Sequence, residues 1–148
     1  MTDTATDLRL ERIFDAAPER VFDAWTNPEV LRRWWAAGPD WEGVSAEVDL
    51  RVGGRLRLAM QDPGADRPYA GGGEYTVVER PARLAFTWRW EDRDDPETLV
   101  TIDFHRHGDG TRLVLAHSGL GSEESRAGHA DGWTKCLDNL GTRVLATA

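Results

Sequence analysis

A change of hydrophobic period constrains this chain most. From Val44 to His117 apolar residues recur at every second position, whereas the segments on either side repeat at helical spacing. Leu56, Leu58 and Met60 alternate with Arg55, Arg57 and Ala59. Leu84, Phe86, Trp88 and Trp90 alternate with Ala85, Thr87 and Arg89. Val100, Ile102 and Phe104 form a third such run, and Leu113 and Leu115 a fourth. Gly53-Gly54, Gly71-Gly72-Gly73, Pro81, Asp94-Asp95-Pro96 and Gly108-Asp109-Gly110 read as the turns that bound them. Connections this short imply antiparallel pairing of successive strands. The resulting sheet has an apolar face that must be covered.

The flanking segments supply the cover. Leu8, Leu10, Ile13 and Phe14 read as a first strand. Pro18 suits the first turn of a helix, where its missing N–H would be unpaired anyway. Asn27-Pro28 repeats that start signal with an N-cap side chain. Two short helices are expected between about 18 and 36, burying Val21, Phe22, Trp25, Val30, Leu31, Trp34 and Trp35. Ser122 can cap a last, long helix whose stripe is Trp133, Leu137, Leu140 and Val144. Gly128, Gly132 and Gly141 interrupt it at a cost of about 1 kcal/mol each relative to Ala. A close contact or a space for ligand would account for them; the alternative is a break near Gly128. The expected fold is α+β: a curved antiparallel sheet of about six or seven strands around a long C-terminal helix, with two short helices after strand 1. It forms a single domain over residues 8–148, preceded by a flexible tail of small polar residues over 1–7.

Composition decides whether such a core can close. Leu, Ile, Val and Phe make up only about a fifth of the 148 residues, close to the level at which disorder begins. The seven Trp restore the missing apolar area, since each can bury roughly 150–250 Å². The net charge of −8 disfavours nucleic acid and anionic membranes as partners. The single Cys excludes an intramolecular disulfide and any multi-cysteine zinc site. No apolar run is long enough for a membrane helix. Met1 to Asp7 has neither the basic start nor the apolar stretch of a secretory signal, so a cytoplasmic location is expected.

Several segments together resemble a known family. They are Pro18 to Glu29 (PERVFDAWTNPE) with Trp34 following, Asp49 to Gly54 (DLRVGG), Gly73-Glu74-Tyr75, Arg80 to Trp88 (RPARLAFTW), Gly110 to Leu113 (GTRL), and His129 to Trp133 (HADGW) with Leu137 and Leu140. In this order they resemble the bacterial homologues of the Hsp90 ATPase activator's C-terminal domain, within the START-like (Bet v 1-like, SRPBCC) superfamily. The resemblance covers about 8 to 146. It implies the helix-grip fold, a sheet gripping a C-terminal helix over an apolar cavity. Members of the superfamily bind lipids, hormones and polyketides, and some act as cyclases or hydroxylases, so fold alone does not name the function. Stimulation of Hsp90 is not implied, because in the eukaryotic co-chaperone that role belongs to a separate N-terminal domain. Both a monomer and a homodimer fit the resemblance.

The candidate ligand-binding residues are Trp34, Trp41, Met60, Tyr75, Phe86, Trp88, Trp90, Val100, His117, Trp133, Cys136 and Leu137. Trp88 and Trp90 share a strand face and Trp133 should oppose them, either as an aromatic pocket or simply as core filling. His117 shares its parity with Leu113 and Leu115. At a cavity mouth it could orient a ligand or act as an acid or base, although a structural hydrogen bond is the more frequent role of such a group. Glu74 and Tyr75 point to opposite faces, and Tyr75, on parity with Val77, is taken to line the cavity. His105 and His107 share a face that should be solvent-exposed, so no metal is expected there. Cys136 reads as a small buried hydrophobe. Gly71-Gly72-Gly73 lacks the Lys and Ser/Thr of a phosphate loop, and the acidic run from Asp92 to Asp95 reads as a solvated turn. No catalytic residue and no cofactor is assigned.

The expected function is binding of a hydrophobic or aromatic small molecule, lipid-like or polyketide-like, for carriage, sequestration or self-protection. One alternative is a small enzyme, a cyclase or hydrolase, using His117 and Tyr75 as acid and base. Another is a protein-interaction or stress-related co-chaperone-like module, which predicts a closed, packed cavity and a sizeable exposed apolar patch.

Overall fold

A computed structural model describes residues 8–145; the tail expected over 1–7 lies outside the described residues. The elements are β1 (Leu8–Phe14), α1 (Pro18–Thr26), α2 (Pro28–Trp34), β2 (Glu42–Val48), β3 (Arg55–Gln61), β4 (Tyr69–Glu79), β5 (Arg83–Trp90), β6 (Thr98–His107), β7 (Gly110–Ser118) and α3 (Glu123–Leu140). A π-helical turn, Gly141–Leu145, continues α3. All seven strands pair antiparallel in the order β1-β7-β6-β5-β4-β3-β2. Sequential hairpins build β2 to β7, and β1 returns to the far edge beside β7. This is the helix-grip arrangement, with α3 against the apolar face.

The strand pattern selects that face. Leu56, Leu58, Leu84, Phe86, Trp88, Val100, Ile102, Leu113 and Leu115 are buried, while Arg55, Arg57 and Arg89 between them are exposed. The glycine run Gly71-Gly72-Gly73, expected as a turn, lies inside β4 instead. A Cβ on Gly71 would stand 2.6 Å from the Trp88 ring, so this strand carries no side chain where the indole must lie. At the other sheet edge α2 rests directly on β2: a Cβ on Gly43 would meet the Arg32 carbonyl oxygen at 2.0 Å. The register slips just after Gly43, leaving Val44 exposed.

The helices start where their caps dictate. Asn27 Oδ1 accepts from the Glu29 amide, and Ser122 Oγ accepts from the Ser125 amide. α3 runs unbroken through Gly128 and Gly132. Its C-terminal half is sunk in the core, with Trp133, Cys136, Leu137 and Leu140 buried. No helix among the described residues is long and apolar enough to cross a membrane.

Polar contacts anchor the C-terminal end of α3. Buried Asn139 donates through Nδ2 to the Ala36 and Gly38 carbonyls at 2.9 and 3.0 Å. Arg143 donates to the carbonyls of Pro39 and Trp41, both at 2.9 Å, and Arg20 of α1 donates to the Val144 carbonyl at 2.9 Å. Asn139→Ala strands two buried carbonyls, whose desolvation costs about 1–3 kcal/mol. Urea unfolding should therefore show a destabilisation of about that size.

Candidate functional site

Between α3, from Glu124 to Cys136, and the sheet, at Met60, Tyr69, Trp88, Trp90 and His117, lies a cavity of about 590 Å³. That is within the usual range for small-molecule sites, roughly 300–1,000 Å³. Six aromatic side chains, Trp35, Trp41, Tyr69, Trp88, Trp90 and Trp133, line it together with Met60 and Cys136. Arg93, Asp95 and Glu124 form a charged rim. Gly128 and Gly132 border the opening, and a Cβ on either would meet no heavy atom within 4 Å. Open space, rather than close packing, is therefore what these two helical glycines face.

Seven of the residues singled out from sequence line this cavity: Trp41, Met60, Trp88, Trp90, His117, Trp133 and Cys136. The other five, Trp34, Tyr75, Phe86, Val100 and Leu137, do not. Each is at most 1% exposed and packs in the sealed core beside the cavity. Trp34 is turned inward, donating its indole N–H to the Ala24 carbonyl at 2.9 Å. Its neighbour Trp35, at the C-cap of α2, takes the place on the wall. Tyr75 packs edge-on against Phe86. A bulge between Tyr75 and Val77 breaks the parity that linked them, so Val78 rather than Val77 packs toward the core. Burial pushes the Tyr75 hydroxyl pKa well up. The turn after β5 is exposed along the acidic run from Asp92 to Asp95, and within it Arg93 lies 5.6 Å over the Trp90 ring and joins Asp95 at the rim.

The indoles interlock. Trp35 stands between Trp88 and Trp133, with centroids 5.5 and 5.3 Å away, so Trp133 opposes the strand aromatics through Trp35. Trp88 and Trp90 meet edge to face at 5.2 Å, and Trp41 stacks on Tyr69 at 5.7 Å.

Two histidines complete the wall, each pinned at both nitrogens. Trp133 Nε1–H donates to His117 Nδ1 at 3.0 Å, so Nδ1 carries no proton. His117 Nε2 then bears the hydrogen and donates to Thr98 Oγ1 at 2.7 Å, and Thr98 donates onward to the Trp88 carbonyl at 3.0 Å. Trp90 Nε1–H donates to His129 Nε2 at 3.3 Å, and His129 Nδ1–H donates to the Ser125 carbonyl at 2.8 Å. The two imidazoles meet edge to face at 5.0 Å. Sequence reading missed His129. The signal available was its spacing, four residues before Trp133 and four after Ser125, on the helix face that carries the stripe.

Burial, and secondarily the neighbouring His129, lowers the His117 pKa to about 3. Burial also pushes the Cys136 thiol up to about 12, so it stays protonated near neutrality. His105 and His107 are exposed on β6. Among the described residues no group of three or more His, Cys, Asp or Glu is placed to hold a metal ion.

The family described as "Activator of Hsp90 ATPase homolog 1-like protein" matches residues 15–144. Solved structures share the whole architecture. The AHSA1 protein of Silicibacter pomeroyi is 31% identical, with a TM-score of 0.83, covering 96% of this chain and 99% of its own. A protein from Chromobacterium violaceum is 26% identical, with a TM-score of 0.83, covering 92% and 94%. CalU16 from Micromonospora echinospora is 28% identical, with a TM-score of 0.71, covering 91% and 73%. No curated protein matches the chain.

The depressed His117 pKa fixes a pH dependence. Between about 3 and the unperturbed value near 6.5 the unfolded chain binds a proton that the folded chain does not. Stability therefore falls as pH drops through that window, by roughly 1.4 kcal/mol per unit well inside it. His117→Gln should be less stable at pH 7 and lose less on going from pH 6.5 to 5, where carboxylates are still mostly ionised. Urea unfolding at several pH values measures the difference.

Proposed function

This chain belongs to the activator of Hsp90 ATPase homolog 1-like family, and from that premise we propose that it binds a hydrophobic, aromatic or polyketide-like small molecule between sheet and α3, for carriage or sequestration. The observation that carries this reading is an aromatic cavity of about 590 Å³ at the surface, with a charged rim. Concave apolar sites with a few oriented polar groups are where small ligands bind. Glycines facing open space on the helix that covers the cavity fit the same use.

An acid–base enzyme is less well supported. Both nitrogens of His117 are committed to Trp133 and Thr98, and its low pKa makes it a poor base near neutrality. Tyr75, its supposed partner, lies off the cavity wall. A protein-docking module predicts a packed cavity and one exposed apolar patch. The exposed large apolar side chains are instead spread over β1 (Ile13), β2 (Val44), the β2–β3 connection (Leu50, Val52) and β6 (Leu99).

The test is a ¹H–¹⁵N titration of the indole N–H signals with decanoate and with the aromatic dye 1-anilinonaphthalene-8-sulfonate. Saturable shifts are expected at Trp88, Trp90 and Trp133, with smaller ones at the core indoles Trp25 and Trp34. Gly132→Leu, which extends a side chain at the opening, should weaken binding at least about tenfold without loss of stability, since replacing a helical Gly is favourable by up to about 1 kcal/mol. Absence of saturable shifts with both probes, or unchanged affinity in Gly132→Leu, counts against this cavity as the site.

A further inference from the structure

Resting on the cavity as a binding site, we infer that His129 is a proton-operated latch on Trp90: when its imidazole gains a proton the indole is released, and the cavity lets go of an apolar ligand as the pH falls. Two indole–imidazole pairs stand on the wall, and they differ in where they sit. Trp133 and His117 are sealed, at 6% and 1% exposure, and the His117 ring is tied between Trp133 and Thr98. Trp90 and His129 are half-buried and line the cavity. Burial keeps His117 neutral, and a charge on His129 opposes a second one beside it. His129 is therefore the member of the pair that takes up charge, and histidine is the side-chain type that does so between about pH 5 and 8.

The bonds of His129 make the switch. Its Nε2 accepts from Trp90 Nε1–H at 3.3 Å, and its Nδ1–H donates to the Ser125 carbonyl at 2.8 Å. Only the neutral ring with its hydrogen on Nδ1 can do both. A proton gained at Nε2 leaves the Ser125 bond in place, so the ring keeps its position on α3. Nε2–H then faces Trp90 Nε1–H, donor against donor. No other acceptor meets that indole N–H among the described residues. From β7, His117 meets the His129 ring at 5.0 Å, but its Nδ1 is taken by Trp133. From the connection after β5, Arg93 lies over the Trp90 ring as a second cation, and Asp95 stands at the rim. On α3, Glu124 is also at the rim, Asp131 is paired with Lys135 at 3.0 Å, and Glu123 with Arg126. Trp90 is the last residue of β5 and an exposed connection follows it, so its ring can turn outward without disturbing the core. A ligand held only by the latched wall then loses affinity in proportion to the latched fraction.

The test begins without ligand. In ¹H–¹⁵N spectra taken from pH 8 to 5, the Trp90 indole proton is expected to move upfield along the same curve as the His129 ring signals, while the Trp133 indole proton stays. His129→Gln, which has no titrating ring and whose amide oxygen can accept from Trp90 at every pH, should hold the Trp90 signal still. The uncharged dye N-phenyl-1-naphthylamine then reports on the cavity without a charge of its own. It is expected to bind at least about fivefold weaker at pH 5.5 than at pH 7.5, the scale of one hydrogen bond's net contribution to the latched state. His129→Gln retains His117 and its acid sensitivity, and should remove that difference. A Trp90 signal that ignores the His129 titration, or that moves equally in His129→Gln, overturns the latch. Equal dye affinity at the two pH values overturns the release. If His129→Gln does not fold, the Trp90 and His129 curves of the unaltered protein decide alone. Dye that binds at neither pH removes the binding reading, and the release with it, while the ligand-free spectra still decide the latch.

Discussion

Burial of one stripe of α3 in the concave face of the sheet is the contact on which the rest of the molecule depends. Trp133, Cys136, Leu137 and Leu140 close over Leu84, Phe86, Val100, Ile102, Leu113 and Leu115 in one continuous core. At roughly 25 cal/mol per Å² of apolar surface buried, side chains of this size are the main source of stability in a chain poor in aliphatic residues. Asn139, Arg143 and Arg20 then pin the helix end and the turn after it to α1 and to the α2–β2 connection. The helix is thus fixed at its C-terminal end, and its N-terminal turns, carrying two glycines, border an opening. The cavity follows from anchoring one end of a helix while leaving the other short of side chains.

Tryptophan plays two physical roles here. Trp25 and Trp34 fill the core against each other at 4.8 Å, as large apolar bodies. Trp35, Trp41, Trp88, Trp90 and Trp133 form a wall, and for Trp90 and Trp133 the polar edge matters as much as the area. Each donates to a histidine, and each histidine passes the polarity outward through its other nitrogen. Buried polar groups tied in this way set one geometry for the wall, because an imidazole turned or protonated would lose a partner in low dielectric. That constraint makes His117 a fixed part of the wall and a poor proton carrier.

Most of the fold was legible in the chain because periodicity reports burial. Alternation in β3, β5, β6 and β7, the Pro and Asn starts of α1 and α2, and the Ser122 cap each arise from local rules that hold in this structure. The failures were also local in origin. Gly71 to Gly73 carries a turn signature, yet the absence of side chains there serves the Trp88 indole on the neighbouring strand. Tyr75 and Val77 share a parity that a bulge cancels. Trp34 and Trp35 are adjacent, and nothing in their spacing says which ring turns to the cavity, since a helix rotates successive side chains by about 100° and α2 ends between them.

The sequence by itself therefore determined the elements, their order, the apolar face of the sheet and the family resemblance, because each of these depends on neighbours within a few residues or on one chain-wide pattern. Tertiary structure alone decided the site. His129 and Trp90, bonded to each other, lie 39 residues apart in the chain, and His117 and Trp133 meet only when α3 docks on the sheet at β7. Which aromatic residues form a wall and which fill the core depends on where the curled sheet and the anchored helix stop touching, a distance that no run of neighbouring residues encodes.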